Sequence, residues 1–201
     1  HFDLPAWKAA GVAIPVFSLR SEQSFGVGDF GDLKKMIDWA VLTGQKVVQI
    51  LPINDTTITH TWTDSYPYNS ISIYAFHPMY IDLNQLEALE DAGQRESFEQ
   101  QRLKLNALPQ VDYEDVNQYK LKYLHLLFQQ MGETLLESTG FRQFFKENKH
   151  WLVSYSVFCY LRDKYGTPVF RNWPEHQVYH EEVISRMAEE DTACRPICLL
   201  Y

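Results

Sequence analysis

Basic residues are in short supply. Lys and Arg total 18 against 26 Asp and Glu, a formal net charge of −8 over 201 residues. Such a chain lacks the cationic footprint that a phosphate backbone or an anionic lipid surface selects, so neither nucleic acid nor membrane is expected as a partner. Glycine and proline are sparse, at 9 each, which excludes collagen-like and low-complexity chains. No apolar run approaches the ~18–20 residues of a membrane-crossing helix. Cysteine is rare and odd in number: Cys159, Cys194 and Cys198 imply no disulfide framework, and free thiols in a reducing cytoplasm are expected. Cys194 and Cys198 are spaced to share a helix face, but no Cys or His pair joins them at zinc spacing. Among the histidines only His176 and His180 stand four apart, outside any H-E-x-x-H frame, so no metal and no cofactor is expected. An initiator Met and a signal-peptide layout are also missing from His1-Phe2-Asp3-Leu4. The chain stops inside the apolar Ile197-Cys198-Leu199-Leu200-Tyr201, and both ends are expected to be cuts in a longer chain.

Aromatic residues are plentiful: 12 Tyr, 12 Phe and 5 Trp make up 14% of the chain. The first of them fall in a strand–helix–strand pattern. Gly11-Val12-Ala13-Ile14-Pro15-Val16-Phe17 reads as a short buried strand, weakened by Pro15, which has no N–H for a ladder. A glycine-spaced turn follows, Gly26-Val27-Gly28-Asp29-Phe30-Gly31. It fits neither the dinucleotide fingerprint nor a P-loop and reads as a turn into a helix. Asp29 is placed to cap that helix, with Asp32 in its first turn. Leu33, Met36, Ile37, Ala40 and Val41 form one apolar face, and Gly44 ends the helix. Lys46 to Ile53 is a nearly continuous apolar run, which predicts a parallel strand buried on both faces. The three elements make a βαβ unit, whose ligands belong at the C-terminal ends of its strands.

Residues 54–72 follow the second strand. They mix Trp62, Tyr66 and Tyr68 with Asn54, Asp55, Asp64 and Asn69, rings that stack on the C–H faces of sugars beside groups that pair with hydroxyls. A loop pinned to its own domain by these aromatics is the alternative. Asp55 and Asp64 are the one local acid pair, and two acids on a single loop suit ligand orientation or structure better than glycosyl transfer chemistry. Residues 84–106 are charged and Gln-rich, predicting short helices. Tyr119, Tyr123 and Leu127 mark another helix. Phe141, Phe144 and Phe145 lead into Trp151–Tyr165, apolar around most of its circumference, and Gly166 and Pro168 end it. Asn54-Asp55-Thr56 matches a glycosylation sequon only by letter.

Three stretches carry a resemblance: Pro52-Ile53-Asn54-Asp55-Thr56, Trp62-Thr63-Asp64-Ser65-Tyr66-Pro67-Tyr68-Asn69-Ser70, and Ala75-Phe76-His77-Pro78-Met79-Tyr80. With Ser18-Leu19-Arg20-Ser21-Glu22 and Phe158-Cys159-Tyr160-Leu161-Arg162-Asp163, they resemble the 4-α-glucanotransferases of glycoside hydrolase family 77, nearest its plant cytosolic type. The resemblance implies an α/β fold, the first part of a (β/α)8 TIM barrel with about two strands and a mostly helical insertion. Residues 1–83 would begin the barrel and carry a glucan-binding loop at 54–72. Residues 84–140 would be the insertion, and 141–201 barrel-associated helices. It also implies a retaining transfer of α-1,4-glucan or maltooligosaccharide units, with the catalytic acids C-terminal to Tyr201 and this chain alone inactive. The family's donor-site tyrosine maps onto Tyr68. Tyr66 stands where the family loop has serine, as in the plant-type subgroup. Trp62, Asp64, Tyr66 and Asp55 join Tyr68 as candidate glucan contacts. The implied partners are the glucan, the rest of the barrel and N-terminal starch-binding modules. A non-catalytic glucan-binding domain and an α-glucan hydrolase on the same scaffold remain open alternatives.

Overall fold

The computed structural model describes residues 7–190; Cys194 and Cys198 lie outside them. Strand β1 (Gly11–Ala13), helix α1 (Phe30–Leu42) and strand β2 (Val47–Gln49) form the expected unit, with β1 and β2 paired in parallel from Gly11 opposite Val47 to Ala13 opposite Gln49. Both strands are shorter than their apolar runs. After Ile14 N–H donates to Gln49 O at 2.8 Å, Pro15 caps a 3-10 turn, Val16–Ser18, and the expected strand to Phe17 ends there. Nor is β2 buried on both faces: Val47 is 40% exposed, because among the described residues the sheet has two strands and no neighbour beyond them.

Helix α1 opens on a capping box. The Asp29 carboxylate accepts N–H bonds from Gly31 and Asp32, and Asp32 reaches back to the Asp29 N–H. Two buried carboxylates thus occupy the turn that looked faintly like a phosphate loop, and Ser21 and Ser24 donate to Asp32. Gly28 is there for space: a Cβ would lie 2.1 Å from Val16 O. The predicted apolar face of α1 is covered only in part. Ala40 is buried and Leu33 meets the core, whereas Ile37 and Val41 are 46% and 71% exposed.

Residues 84–106 hold one long helix in place of several short ones. Helix α2 (Ala92–Asn106) is capped by Asp91 and buries Phe98 and Leu105, two turns apart. Helix α3 (Tyr113–Glu137) presents Tyr119 and Tyr123 edge-on to Phe98, with ring centroids 6.3 and 5.2 Å away. At Ser138 the chain turns into helix α4 (Thr139–Tyr165): extended backbone at φ −63, ψ 145 stops α3, and the Ser138 hydroxyl accepts the Phe141 N–H. Gly166, at φ 66, closes α4 in the left-handed conformation. Helix α5 (Glu181–Glu190) packs Ile184 with Trp173 against Val157 and Leu161 of α4. The larger core, including Val16, Phe25, Val27, Met79, Tyr80 and Val116, joins α2 and α3 to the βαβ unit.

Candidate functional site

The loop beyond β2 stands on a short antiparallel stem. His77 N–H donates to Ile53 O at 2.9 Å, Asp55 N–H to Ala75 O at 2.9 Å, and Ile71 N–H to Asp55 O at 2.8 Å. Above the stem, residues 56–70 fold around Asp64. Its carboxylate is 4% exposed and accepts the backbone N–H groups of Ile58 (3.0 Å), Thr59 (2.9 Å) and His60 (2.7 Å), along with the Thr59 hydroxyl (3.0 Å). The Thr56 hydroxyl donates to Asp64 O. A buried carboxylate is stable only when its oxygens are satisfied, and a carboxylate wrapped in backbone N–H groups fixes the path of the chain around it. This arrangement gives His60 its left-handed φ of 57.

Asp55, 1% exposed, plays the same part at the stem. Oδ1 accepts the Thr57 N–H and hydroxyl at 2.9 and 2.7 Å, and Oδ2 accepts the Tyr155 hydroxyl at 2.6 Å. Asp55 and Asp64 therefore turn inward, with their oxygens engaged by loop N–H and hydroxyl groups and by Tyr155. The aromatic candidates turn outward. Trp62 is 68% exposed, Tyr66 60% and Tyr68 61%. The two tyrosine rings lie 5.5 Å apart, tilted at 53°, as an open two-ring platform. Trp62 stands apart from them on the 3-10 turn Trp62–Ser65, its backbone N–H donating to the Glu114 carboxylate of α3 at 2.9 Å.

Beside the stem is a cavity of about 410 Å³ lined by Tyr74, Phe76, Phe144 and Trp151 among others, with Tyr74 stacked on Trp151 at 5.5 Å. Its wall includes Asn148 and Tyr155, whose polar groups are engaged with Phe144, Trp151 and Asp55. The exposed rings on the loop are the better match to a hydroxyl-rich ligand.

Three residues that sequence reasoning passed over complete the surroundings. Arg162 of α4, 1% exposed, donates from Nη1 to Thr57 O at 2.8 Å and forks onto Asp163. Tyr155 lies two turns earlier on the same helix, and burial beside Cys159 and Asp55 pushes its phenol well above the ordinary range. Lys120 of α3, fully buried, donates to Met79 O and Ile81 O at 2.7 Å each. The available signal was a polar residue on an otherwise apolar helix face: Lys120 follows Val116 by four, and Arg162 follows Tyr155 by seven.

Comparison with known proteins supplies the context. A family profile described as 4-alpha-glucanotransferase, of glycoside hydrolase family 77, matches residues 14–196. A 4-alpha-glucanotransferase from Oryza sativa subsp. japonica is 39% identical over 97% of this chain and 21% of its own length. Another from Chlamydia muridarum is 34% identical over 81% of this chain and 30% of its own. The crystal structure of amylomaltase from Corynebacterium glutamicum superposes with a TM-score of 0.69 at 17% identity, over 96% of this chain and 26% of that one. This last likeness is one of fold. The chain thus spans between about a fifth and a third of these proteins.

Proposed function

Because the chain belongs to the 4-alpha-glucanotransferase family, glycoside hydrolase family 77, we propose that it begins the catalytic domain of an enzyme that moves α-1,4-glucan units between maltooligosaccharides. In this reading β1, α1 and β2 open a (β/α)8 barrel, α2 and α3 form a helical insertion, and α4 and α5 pack alongside. A barrel of this kind needs ~250 residues. The uncovered apolar side chains of Val41 (71% exposed), Leu42 (86%) and Val47 (40%) support the remaining barrel as their cover.

The observation that carries the reading is the division of labour in the 54–72 loop, with acids turned in to hold the backbone and the rings of Tyr66, Tyr68 and Trp62 turned out. Rings of this kind hold a sugar by its C–H face without competing for its hydroxyls. Retaining transfer needs a nucleophilic carboxylate and an acid/base carboxyl ~5–5.5 Å apart. Asp55 and Asp64 are occupied by the loop, so the reading assigns bond chemistry to acids C-terminal to Tyr201 and glucan binding to this chain. Starch-binding modules ahead of the barrel and a cytoplasmic location belong to the same reading. Among the described residues, no helix is long and apolar enough to cross a membrane.

The test is Tyr68→Ala in the complete enzyme. A stacking contact is worth ~0.5–1.5 kcal/mol, so kcat/KM for maltotriose disproportionation should fall by up to about tenfold. An unchanged kcat/KM would remove Tyr68 from the sugar site. The 201-residue chain alone should leave maltotriose unchanged, and longer and shorter products from it would overturn the assignment of the catalytic acids.

A further inference from the structure

Helix α4 meets the loop at three points in register. Tyr155 hydroxyl donates to Asp55 Oδ2 (2.6 Å), Arg162 Nη1 donates to Thr57 O (2.8 Å), and His60 Nε2 donates to Asp163 Oδ1 (2.9 Å). Tyr155 and Arg162, seven apart, lie on one face of the helix with ~10 Å of axial rise between them, and Asp163 stands about 100° further round at the rim of that face. The loop residues run 55, 57, 60 in the same order. Cys159, between Tyr155 and Arg162, is fully buried and Arg162 is 1% exposed, so the seam is buried along this stretch and opens to solvent at the His60–Asp163 pair. A charge-assisted guanidinium bond to one backbone carbonyl is a strong and directional hold. Helix α4 could have been packed on the loop with apolar residues alone. The polar groups fix where the loop backbone lies, which apolar contacts do not.

We propose that Tyr155, Arg162 and Asp163 are positioning residues for the glucan platform: they set the register of residues 55–60 and, through Asp64 and its cage of N–H groups, the placement of the Tyr66–Tyr68 rings. This rests on the proposed sugar contact of those rings. It assigns α4, which itself carries none of the candidate sugar contacts, a direct influence on glucan transfer. Small displacements of a positioning group are expensive in catalysis: ~1 Å can lower the rate about a hundredfold.

The experiment is a double-mutant cycle in the complete enzyme with Tyr155→Phe and Tyr68→Ala, reading kcat/KM for maltotriose disproportionation and the urea midpoint. Tyr155→Phe keeps the ring and removes the hydroxyl that bonds Asp55 and meets the Cys159 thiol. The expected result is a loss in kcat/KM for Tyr155→Phe alone that approaches that of Tyr68→Ala, up to about tenfold, and little further loss when it is added to Tyr68→Ala, because the platform it positions is already gone. The same fold loss in both backgrounds would mean that Tyr155 acts on the fold in general, and would overturn the proposal. So would an unchanged kcat/KM for Tyr155→Phe beside a damaging Tyr68→Ala. A Tyr68→Ala without effect would sink the sugar contact itself and the positioning role with it. If Tyr155→Phe lowers the urea midpoint below the assay range, Asp163→Asn carries the same cycle from the exposed end of the seam, where the side chain is 37% exposed.

Discussion

Lys120 Nζ and the Asp29 carboxylate lie 3.6 Å apart with their side chains 1% and 4% exposed, so a buried ion pair joins the middle of α3 to the N-cap of α1. Burial pulls Lys120 down to about 8 and pushes Asp29 up to about 6, each opposed by the other's charge. At 3.6 Å each charge favours the ionised form of the other. Removing one partner leaves an uncompensated buried charge, so Lys120→Met should destabilise by ~3–5 kcal/mol. Adding Asp29→Asn should recover part of that loss, since Asn still caps α1. Urea unfolding of the single and double variants measures both effects. A Lys120→Met midpoint equal to wild type would show that the pair holds nothing together.

The second prediction concerns acid. Burial holds the His77 imidazole below its ordinary 6.5, with Asp55 and Asp64 pulling the other way, and its Nδ1 accepts the Met79 N–H. The unfolded chain takes up this proton near pH 6.5 and the folded chain resists it. The neutral ring's contribution is therefore present above pH 6.5 and is lost as pH falls towards the lower folded value. Asp29, raised to about 6, acts in the opposite sense, because its folded form takes up a proton first. His77→Asn retains a capping acceptor and leaves Asp29 unaltered, so its urea midpoint should decline less between pH 7 and pH 5 than that of wild type. Parallel declines would remove His77 from the acid response.

Glycine positions separate by what surrounds them. At Gly28 a Cβ would meet Val16 O at 2.1 Å and Leu19 N at 2.7 Å, both backbone atoms that cannot swing aside. Gly28→Ala should destabilise by ~1–3 kcal/mol through overpacking. Gly140, in the first turn of α4 with nothing within 4 Å of where an alanine methyl would sit, is the control. There alanine should be neutral or stabilise by ~0.5–1 kcal/mol. Thermal unfolding of the two variants should move in opposite directions, and equal shifts would contradict the crowding at Gly28.

Cys159 should be silent in the native protein. Burial pushes its thiol up to about 12, and Arg162 opposes this only in part. Thiolate is the reacting species, so alkylation at pH 8 should reach Cys159 only after unfolding. Peptide mapping after iodoacetamide treatment reads this site separately. Native labelling at the rate of a free thiol would show that α4 opens away from the loop.

The βαβ unit was legible from periodicity and caps: Asp29, the Leu33–Ala40 spacing and Gly44 each sit where a helix needs them. Strand length was not. The apolar runs 11–17 and 46–53 predicted longer, buried strands, but Pro15 ends the first, and the second bends into the loop stem at Ile53. Hydrophobicity reports what a segment must eventually cover, not how many residues its ladder spans. In the loop, composition picked out the candidates and could not show which way each side chain turns. Asp64 and Tyr68 look equally available in a polar stretch, and only the cage of N–H groups around Asp64 separates a holder from a platform. Tyr155 and Arg162 were given no role because their partners lie 100 and 105 residues away in the chain; a local pattern marks a polar residue on a helix face without naming what it meets.

Those separations also set a schedule for biosynthesis. On a ribosome adding ~5–20 residues per second, Asp55 emerges ~5–20 seconds before the helix that bonds to it. Throughout that interval the stem has no Tyr155, Thr57 has no guanidinium, and the rings of Trp62, Tyr66 and Tyr68 have no fixed backing. The Tyr66–Tyr68 pair is therefore among the last parts of this region to take its final placement, and a nascent chain stalled before residue 162 would carry all its candidate glucan contacts without the means to aim them.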